Sequence, residues 1–188
     1  MRKALLLAFA LALTACDRNP HITASIKAME YEALCGNSYT GRVISDDPED
    51  ADWRAETLTL GPVACTPSGI VMPLAVGEDR SRVWTLDDGV EGVEFRHAHI
   101  LPDGSPDPVT GYGGYVQYGG GKHTLRFPAD DTTKQIFRDN DLEASLANTW
   151  TLTLLPGDTL TYALSRPNRD FRAEFDVSEP LVAEPPAP

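Results

Sequence analysis

The 188-residue chain is poor in basic residues, has no long apolar run and carries only three cysteines. Its 16 Lys and Arg stand against 28 Asp and Glu, a formal net charge of −12. So acidic a chain repels phosphate backbones and anionic lipid, and no nucleic-acid partner is expected. Catalytic signatures are missing too: there is no G-x-S-x-G and no H-E-x-x-H. The clusters Gly111-Tyr112-Gly113-Gly114-Tyr115 and Gly119-Gly120-Gly121-Lys122 are not phosphate loops. No helix follows them directly, and Lys122 precedes His123 rather than Ser or Thr. They read as hairpin turns and bulges. With no nucleophile, metal triad or cofactor motif to anchor an activity, the expectation is a non-enzymatic domain without a cofactor.

What is present begins with an address. Met1, Arg2 and Lys3 precede an apolar run from Ala4 to Leu13, too short to span a bilayer, which takes about 20 apolar residues. A charged start, a run of this length and small residues behind it read as a secretory signal over residues 1–15. Leu13-Thr14-Ala15-Cys16 resembles the lipobox of bacterial lipoproteins. That resemblance implies cleavage before Cys16, acyl chains on its thiol and new amino terminus, and a membrane-anchored protein of the cell envelope facing the periplasm. The alternative is a soluble secreted protein cut near Ala15. Asp17 hints at retention in the inner membrane. Residues 16–23 form a short lipidated tether, so the domain sits close to the bilayer.

Removal of Arg2 and Lys3 leaves 14 basic residues against 28 acidic ones. With Cys16 lipidated, Cys35 and Cys65 remain as a pair in an oxidising compartment, which favours a disulfide. Two free buried thiols, or a soft metal site shared with a histidine, are the alternatives.

Residues 24–179 read as one β-rich domain. Ile26, Met29, Ala33 and Leu34 recur at helical spacing before Gly36, which predicts a short N-terminal helix. Short strand-like runs follow at Ser38–Ser45, Trp53–Leu60, Gly69–Val76 and Arg82–Leu86. Asp87-Asp88-Gly89 signals a tight turn, from which Val90–Leu101 returns. Gly114–Tyr118 and His123–Phe127 suggest a further hairpin across Gly119–Gly121. One helix interrupts the strands: Asp130 and Asp131 offer caps, and Ile136, Phe137, Leu142 and Leu146 can share a face. Alternation returns in 149–155, 159–165 and 171–177. Residues 180–188, rich in proline, read as a disordered tail. Many short strands without βαβ alternation predict an all-β domain. The expected form is an antiparallel up-and-down meander closing into a calycin-like (lipocalin-like) barrel, with a β-sandwich as the alternative.

Several stretches share a further resemblance. Gly77-Glu78-Asp79-Arg80-Ser81-Arg82-x-Trp84, His97-x-His99-x-x-x-Asp103-Gly104-Ser105 and Tyr112-Gly113-Gly114 are its clearest motifs. Leu34-Cys35-Gly36, Phe127-Pro128, Tyr162-x-Leu164-x-Arg166-Pro167 and Phe171-Arg172-x-Glu174-Phe175-Asp176 extend it over roughly residues 34–181. Together they resemble an uncharacterised family of small secreted bacterial proteins. The resemblance implies a secreted domain in which Cys35 and Cys65 are paired, and implies no activity. It also implies a third alternating histidine where this chain has Leu101.

His97 and His99 lie on one face of an extended strand. They could offer two nitrogens to zinc or copper, with Asp103, Asp107 or His123 completing the set, or simply hydrogen-bond to polar neighbours. Neutral histidines there could also charge below about pH 6.5. Asp103-Gly104-Ser105-Pro106-Asp107 is no calcium loop, because Pro108 and Gly114 replace the required glycine and glutamate. Asp46-Asp47-Pro48-Glu49-Asp50-Ala51-Asp52 could gather a cation and reads more simply as a solvated loop.

Arg80 and Arg82 alternate to one face that Trp84 continues, a geometry suited to gripping a carboxylate or phosphate. Arg166, Arg169 and Arg172 could converge on them. The competing reading is an internal ion-pair network in which Glu78, Asp79 or Glu174 neutralises the arginines. The leading expectation is a small-ligand site at one barrel mouth built from Arg80, Arg82, Trp84, His97 and Tyr112, taking an anionic or amphipathic molecule. A metal-binding protein and an envelope protein–protein interaction module are the alternatives.

Overall fold

The computed structural model describes residues 30–117 and 121–181. The signal segment, Cys16 and its tether, the first part of the N-terminal helix and residues 182–188 of the tail lie outside them. Eleven strands form one antiparallel sheet, nearly closed into a barrel. They are β1 Tyr39–Val43, β2 Leu58–Leu60, β3 Ala64–Cys65, β4 Gly69–Val76, β5 Asp79–Gly89 and β6 Gly92–His99. β7 Tyr112–Tyr115, β8 Thr124–Pro128, β9 Thr149–Leu155, β10 Thr159–Arg166 and β11 Arg169–Asp176 complete it. The order is β7-β6-β5-β4-β2-β1-β11-β10-β9-β8, with β3 a side partner of β4. Apart from β3 and the seam between β7 and β8, successive strands are hydrogen-bonded neighbours, and the first strand pairs with the last.

Alternation explains the strands. β1 and β9 bury every second residue, and Trp150, Leu152 and Leu154 of β9 meet Leu160 and Tyr162 of β10 inside. Phe95, Phe127 and Phe175 are fully buried with them. The barrel interior is thus packed with side chains over most of its length, as expected for a small barrel.

Four local expectations are corrected. The β5–β6 turn is Val90-Glu91, because Gly89 pairs with Gly92 and Asp87-Asp88-Gly89 continues the strand. A turn at Asp88-Gly89 would set Glu91 opposite Leu86 on the inner face, whereas the observed register sets Phe95 there. Residues 53–57 are not strand: Asp47 accepts from the Glu49 amide (2.9 Å) and Pro48 opens a helical turn, followed by α1 Ala51–Arg54. Near the N-terminus the described part of the expected helix is a single 3-10 turn, Tyr31–Leu34. At the other end Leu181 N–H donates to Ser38 O (2.7 Å), so ordered pairing runs past residue 179 into the expected tail.

The barrel seam lies between β7 and β8; among the described residues the pairing across it is the isolated bridge Gln117–Arg126, just past the end of β7. The helix α2 Asp131–Asp139 closes it. Buried Thr133 takes the place of a strand partner: its Oγ1 accepts from Gly113 N (2.7 Å) and donates to Gly113 O (2.8 Å). Gly113 and Gly114 therefore sit inside β7 and not in a turn. A Cβ on Gly113 would collide with Phe95 O, and one on Gly114 with Pro128 O. Of the expected apolar face of this helical segment, Phe137 is buried and Ile136 and Leu146 pack against the core. Leu142 is exposed, because α2 ends at Asp139 and Asp141 turns the chain with φ 58°.

Asp130 caps α2 by accepting from Thr133 N (2.8 Å) and pairs with Arg96. Burial alone would raise its pKa, but the Arg96 and Thr133 hydrogen bonds outweigh it and hold the carboxyl below the usual carboxylate range. A group depressed in the folded state stabilises fully above its unfolded pKa, about 3.9, and loses that contribution as the pH falls through the folded value. Asp130→Asn is therefore expected to cost about 1.5–3 kcal/mol near pH 6. The gap to the parent protein should close as the pH drops below about 4, read from urea midpoints across that range.

Candidate functional site

The connections β1–β2, β6–β7 and β8–β9 are the long ones, and all three emerge at the same end of the barrel. A cavity of about 390 Å³ opens there. It lies one step beyond the apolar core along each strand. Val93 and Phe95 are followed by His97, Leu86 is preceded by Trp84, and Leu160 is followed by Tyr162 and Leu164. With Tyr112 of β7 and Phe171 of β11 these form an aromatic floor and wall. Trp84 stacks on Tyr162 (4.4 Å, 10°) and His97 on Tyr112 (4.6 Å, 12°). Arg82, His99, Arg166 and Arg169 stand nearer the rim, and the segment carrying Glu49, Asp50 and Trp53 folds over one side. Trp53 packs edge-on against Phe171 (5.5 Å) and lies under the Arg82 guanidinium (5.0 Å).

His97 is 4% exposed and fully bonded. Its Nδ1 lies 3.2 Å from Tyr112 O, a carbonyl that can only accept, so Nδ1 carries the proton and donates. Nε2 is then an acceptor, and the Tyr162 hydroxyl donates to it at 3.0 Å. Burial pushes the His97 pKa down to about 3, the Tyr112 carbonyl opposing the shift and Arg96 adding to it. The expected charge change near pH 6.5 is therefore absent at this ring. Burial also raises the Tyr112 and Tyr162 phenols, so both keep their protons at neutral pH.

The three rim arginines have different partners. Arg82 pairs with Asp79, whose carboxyl is held at about 2. Burial would raise it, but hydrogen bonds from Ser81 and Arg82 win. Arg169 binds Asp50, which is 2% exposed, and also meets Asp47 (3.4 Å) and Glu49 (3.6 Å). Arg166 reaches only neutral oxygens, Asn148 Oδ1 at 3.2 Å and Ser145 Oγ at 3.5 Å. Among the described residues no carboxylate lies within ion-pair distance of it.

Of the residues expected at the mouth, Arg82, Trp84, His97 and Tyr112 line the cavity. Arg80 does not: it lies at the exposed start of β5 and donates to Gly77 O (2.7 Å). The expected convergence of arginines is met by Arg166 and Arg169, while Arg172 points outward and pairs with Asp170 (3.0 Å). The metal set does not assemble. His99 Nδ1 is 3.1 Å from Asp107, whereas Asp103 accepts from Ser105 in its own exposed turn. His123 precedes β8, at the register level of Leu154, whose N–H donates to its carbonyl (3.0 Å), and well down the barrel from Trp150. No group of three or more His, Cys, Asp or Glu side chains able to hold a metal ion occurs among the described residues.

Sequence reading missed Asp50 and the lining roles of Tyr162 and Phe171. The alternation 160–162–164 was the available signal for Tyr162. For Asp50 there was none, because its partner is 119 residues away. No protein-family model matches the chain, and no match is found among curated proteins or solved structures.

Proposed function

We propose that this chain is a lipid-anchored cell-envelope protein whose barrel binds a small amphipathic anion at its open end. The anchor rests on Leu13-Thr14-Ala15-Cys16 and the apolar run before it. Lipidation at Cys16 is tested by acyl labelling in cells, which Cys16→Ser should abolish. Arg166 carries the ligand reading. It is a guanidinium on neutral partners only, at the rim of an aromatic cavity within the size range of small-molecule sites. Arg82 and Arg169 are already neutralised by Asp79 and by the 47–50 segment, which leaves Arg166, among the described residues of the rim, as the cation with capacity for an incoming carboxylate. Aromatic walls favour an apolar body behind that charge. Zinc or copper binding draws no support from the arrangement of His97, His99, Asp103 and His123.

The test is calorimetric titration of the purified chain with a panel of small carboxylates and amphiphiles. Anionic members are expected to bind in the cavity, and Arg166→Gln to weaken them by about tenfold or more, the value of one charged hydrogen-bonded contact. A panel with no binder at saturating concentration would sink the reading.

A further inference from the structure

The floor of the same cavity is more specific than its rim, and its chemistry narrows the ligand class provided that the cavity binds a ligand at all, as proposed above. Tyr162 has given its only hydroxyl hydrogen to His97 Nε2, because His97 Nδ1 is committed to the Tyr112 carbonyl. Toward the cavity the Tyr162 oxygen can therefore only accept. Immediately behind the lining, fully buried Trp150 packs against His97 (5.1 Å) and Tyr112 (5.6 Å). It backs these two rings and fixes the floor in place.

A hydroxyl can donate to the Tyr162 oxygen, whereas a carboxylate and an ether cannot, and an ammonium would carry an unpaired charge onto a floor of aromatic rings. At the other end of the site, Arg166 lies on the same inward face of β10 as Tyr162, four residues on, about 13 Å along the strand at the usual rise. Between the two levels the wall is the Trp84–Tyr162 stack and Phe171, surfaces that suit a flat ring.

We infer that the ligand is a small hydroxyaryl carboxylate, its hydroxyl on the Tyr162 oxygen at the floor and its carboxylate on Arg166 at the rim. A site that hydrogen-bonds a hydroxyl rejects the analogue without it strongly, because its own buried groups are then left unpaired.

The probes are 4-hydroxybenzoate and its homologues with one- and two-carbon acid arms, each titrated calorimetrically into the full chain beside three relatives. These are the unsubstituted acid, the 4-methoxy acid and the methyl ester of the hydroxy acid. At the preferred arm length, the hydroxy acid is expected to bind at least tenfold more tightly than each of the three. In Arg166→Gln the acid-over-ester preference should collapse towards unity while the hydroxy-over-methoxy preference persists. Tyr162→Phe should do the reverse. Because that variant also strips a partner from His97, the methoxy comparison on the unaltered protein stands on its own should it fail to fold.

Equal affinity for the hydroxy, methoxy and unsubstituted acids overturns the inference and leaves a less selective anion site. Binding of alkyl amphiphiles with no aryl acid binding overturns it in the same way. No binding by any member of either set removes both the inference and the ligand reading.

Discussion

Replacing Arg169 with alanine is expected to lower the stability of the domain by about 3–5 kcal/mol, the usual cost of stripping one partner from a buried ion pair. At roughly 2–4 °C per kcal/mol for a chain of this size, the melting temperature should fall by about 10 °C. The size of the effect comes from what is left behind. Asp50 is 2% exposed, and its carboxylate is held by two Arg169 nitrogens and by the Ser45 hydroxyl (2.8 Å). Without the guanidinium, one hydroxyl remains to compensate a buried charge. Asp47 loses a contact as well, at 3.4 Å, whereas the Glu49 contact is exposed and worth little. The double variant Asp50→Asn/Arg169→Ala should therefore be more stable than Arg169→Ala alone, since it removes the stranded charge with its partner. Hydrogen exchange should localise the damage to residues 45–57, the segment that brings Trp53 over Phe171 and Arg82. If the two variants prove equally stable, the pair contributes nothing as a pair, and the mouth segment is held by Trp53 instead.

That ion pair also shows where sequence reading stops. The strands were legible because inside and outside alternate with period two. From Thr149 to Asp176 the expected and observed runs agree to within two residues. The barrel was legible because one long meander has few other ways to cover its edges. The acidic run Asp46–Asp52 looks solvated in the sequence because nothing local neutralises it. Its partner arrives only when β11 pairs with β1, and charge has no periodicity by which that meeting could be foreseen.

Arg80 and Arg82 show a different failure. Both belong to the inward phase of β5, but Arg80 is one step past the end of the barrel, and phase alone does not say where a barrel ends. His97 has the chemistry of a site residue but sits in a core phase, behind Val93 and Phe95. The hydrogen bonds that keep it neutral come from a backbone carbonyl and from a tyrosine 65 residues away. The floor of the site was thus hidden in a pattern that reads as ordinary core.

The second large effect concerns the opposite end of the molecule. Cys35 and Cys65 stand at disulfide distance (Cα–Cα 5.7 Å), 30 residues apart in the chain. Closing a loop of that length stabilises by about 3–4 kcal/mol in the chain-entropy model, so the Cys35→Ser/Cys65→Ser double variant should melt roughly 10 °C below the parent. The footprint should differ from that of Arg169→Ala. Cys65 lies in β3 opposite Ile70, which pairs in turn with Leu86, two residues beyond Trp84 and away from the mouth. The bridge ties the Tyr31–Leu34 turn to this side strand beside two backbone bonds, Gly36 N to Val63 O (2.7 Å) and Val63 N to Asn37 O (2.8 Å). Hydrogen exchange should accordingly rise in residues 31–38 and 61–66 and stay unchanged in 45–57. Those backbone bonds set the limit on the effect. If they hold the turn in place without the covalent link, exchange in 31–38 and 61–66 will stay unchanged and the loss will be the full unfolded-chain value of about 3–4 kcal/mol; if the turn frays, the cysteine-free chain regains native-state freedom and the loss falls below that.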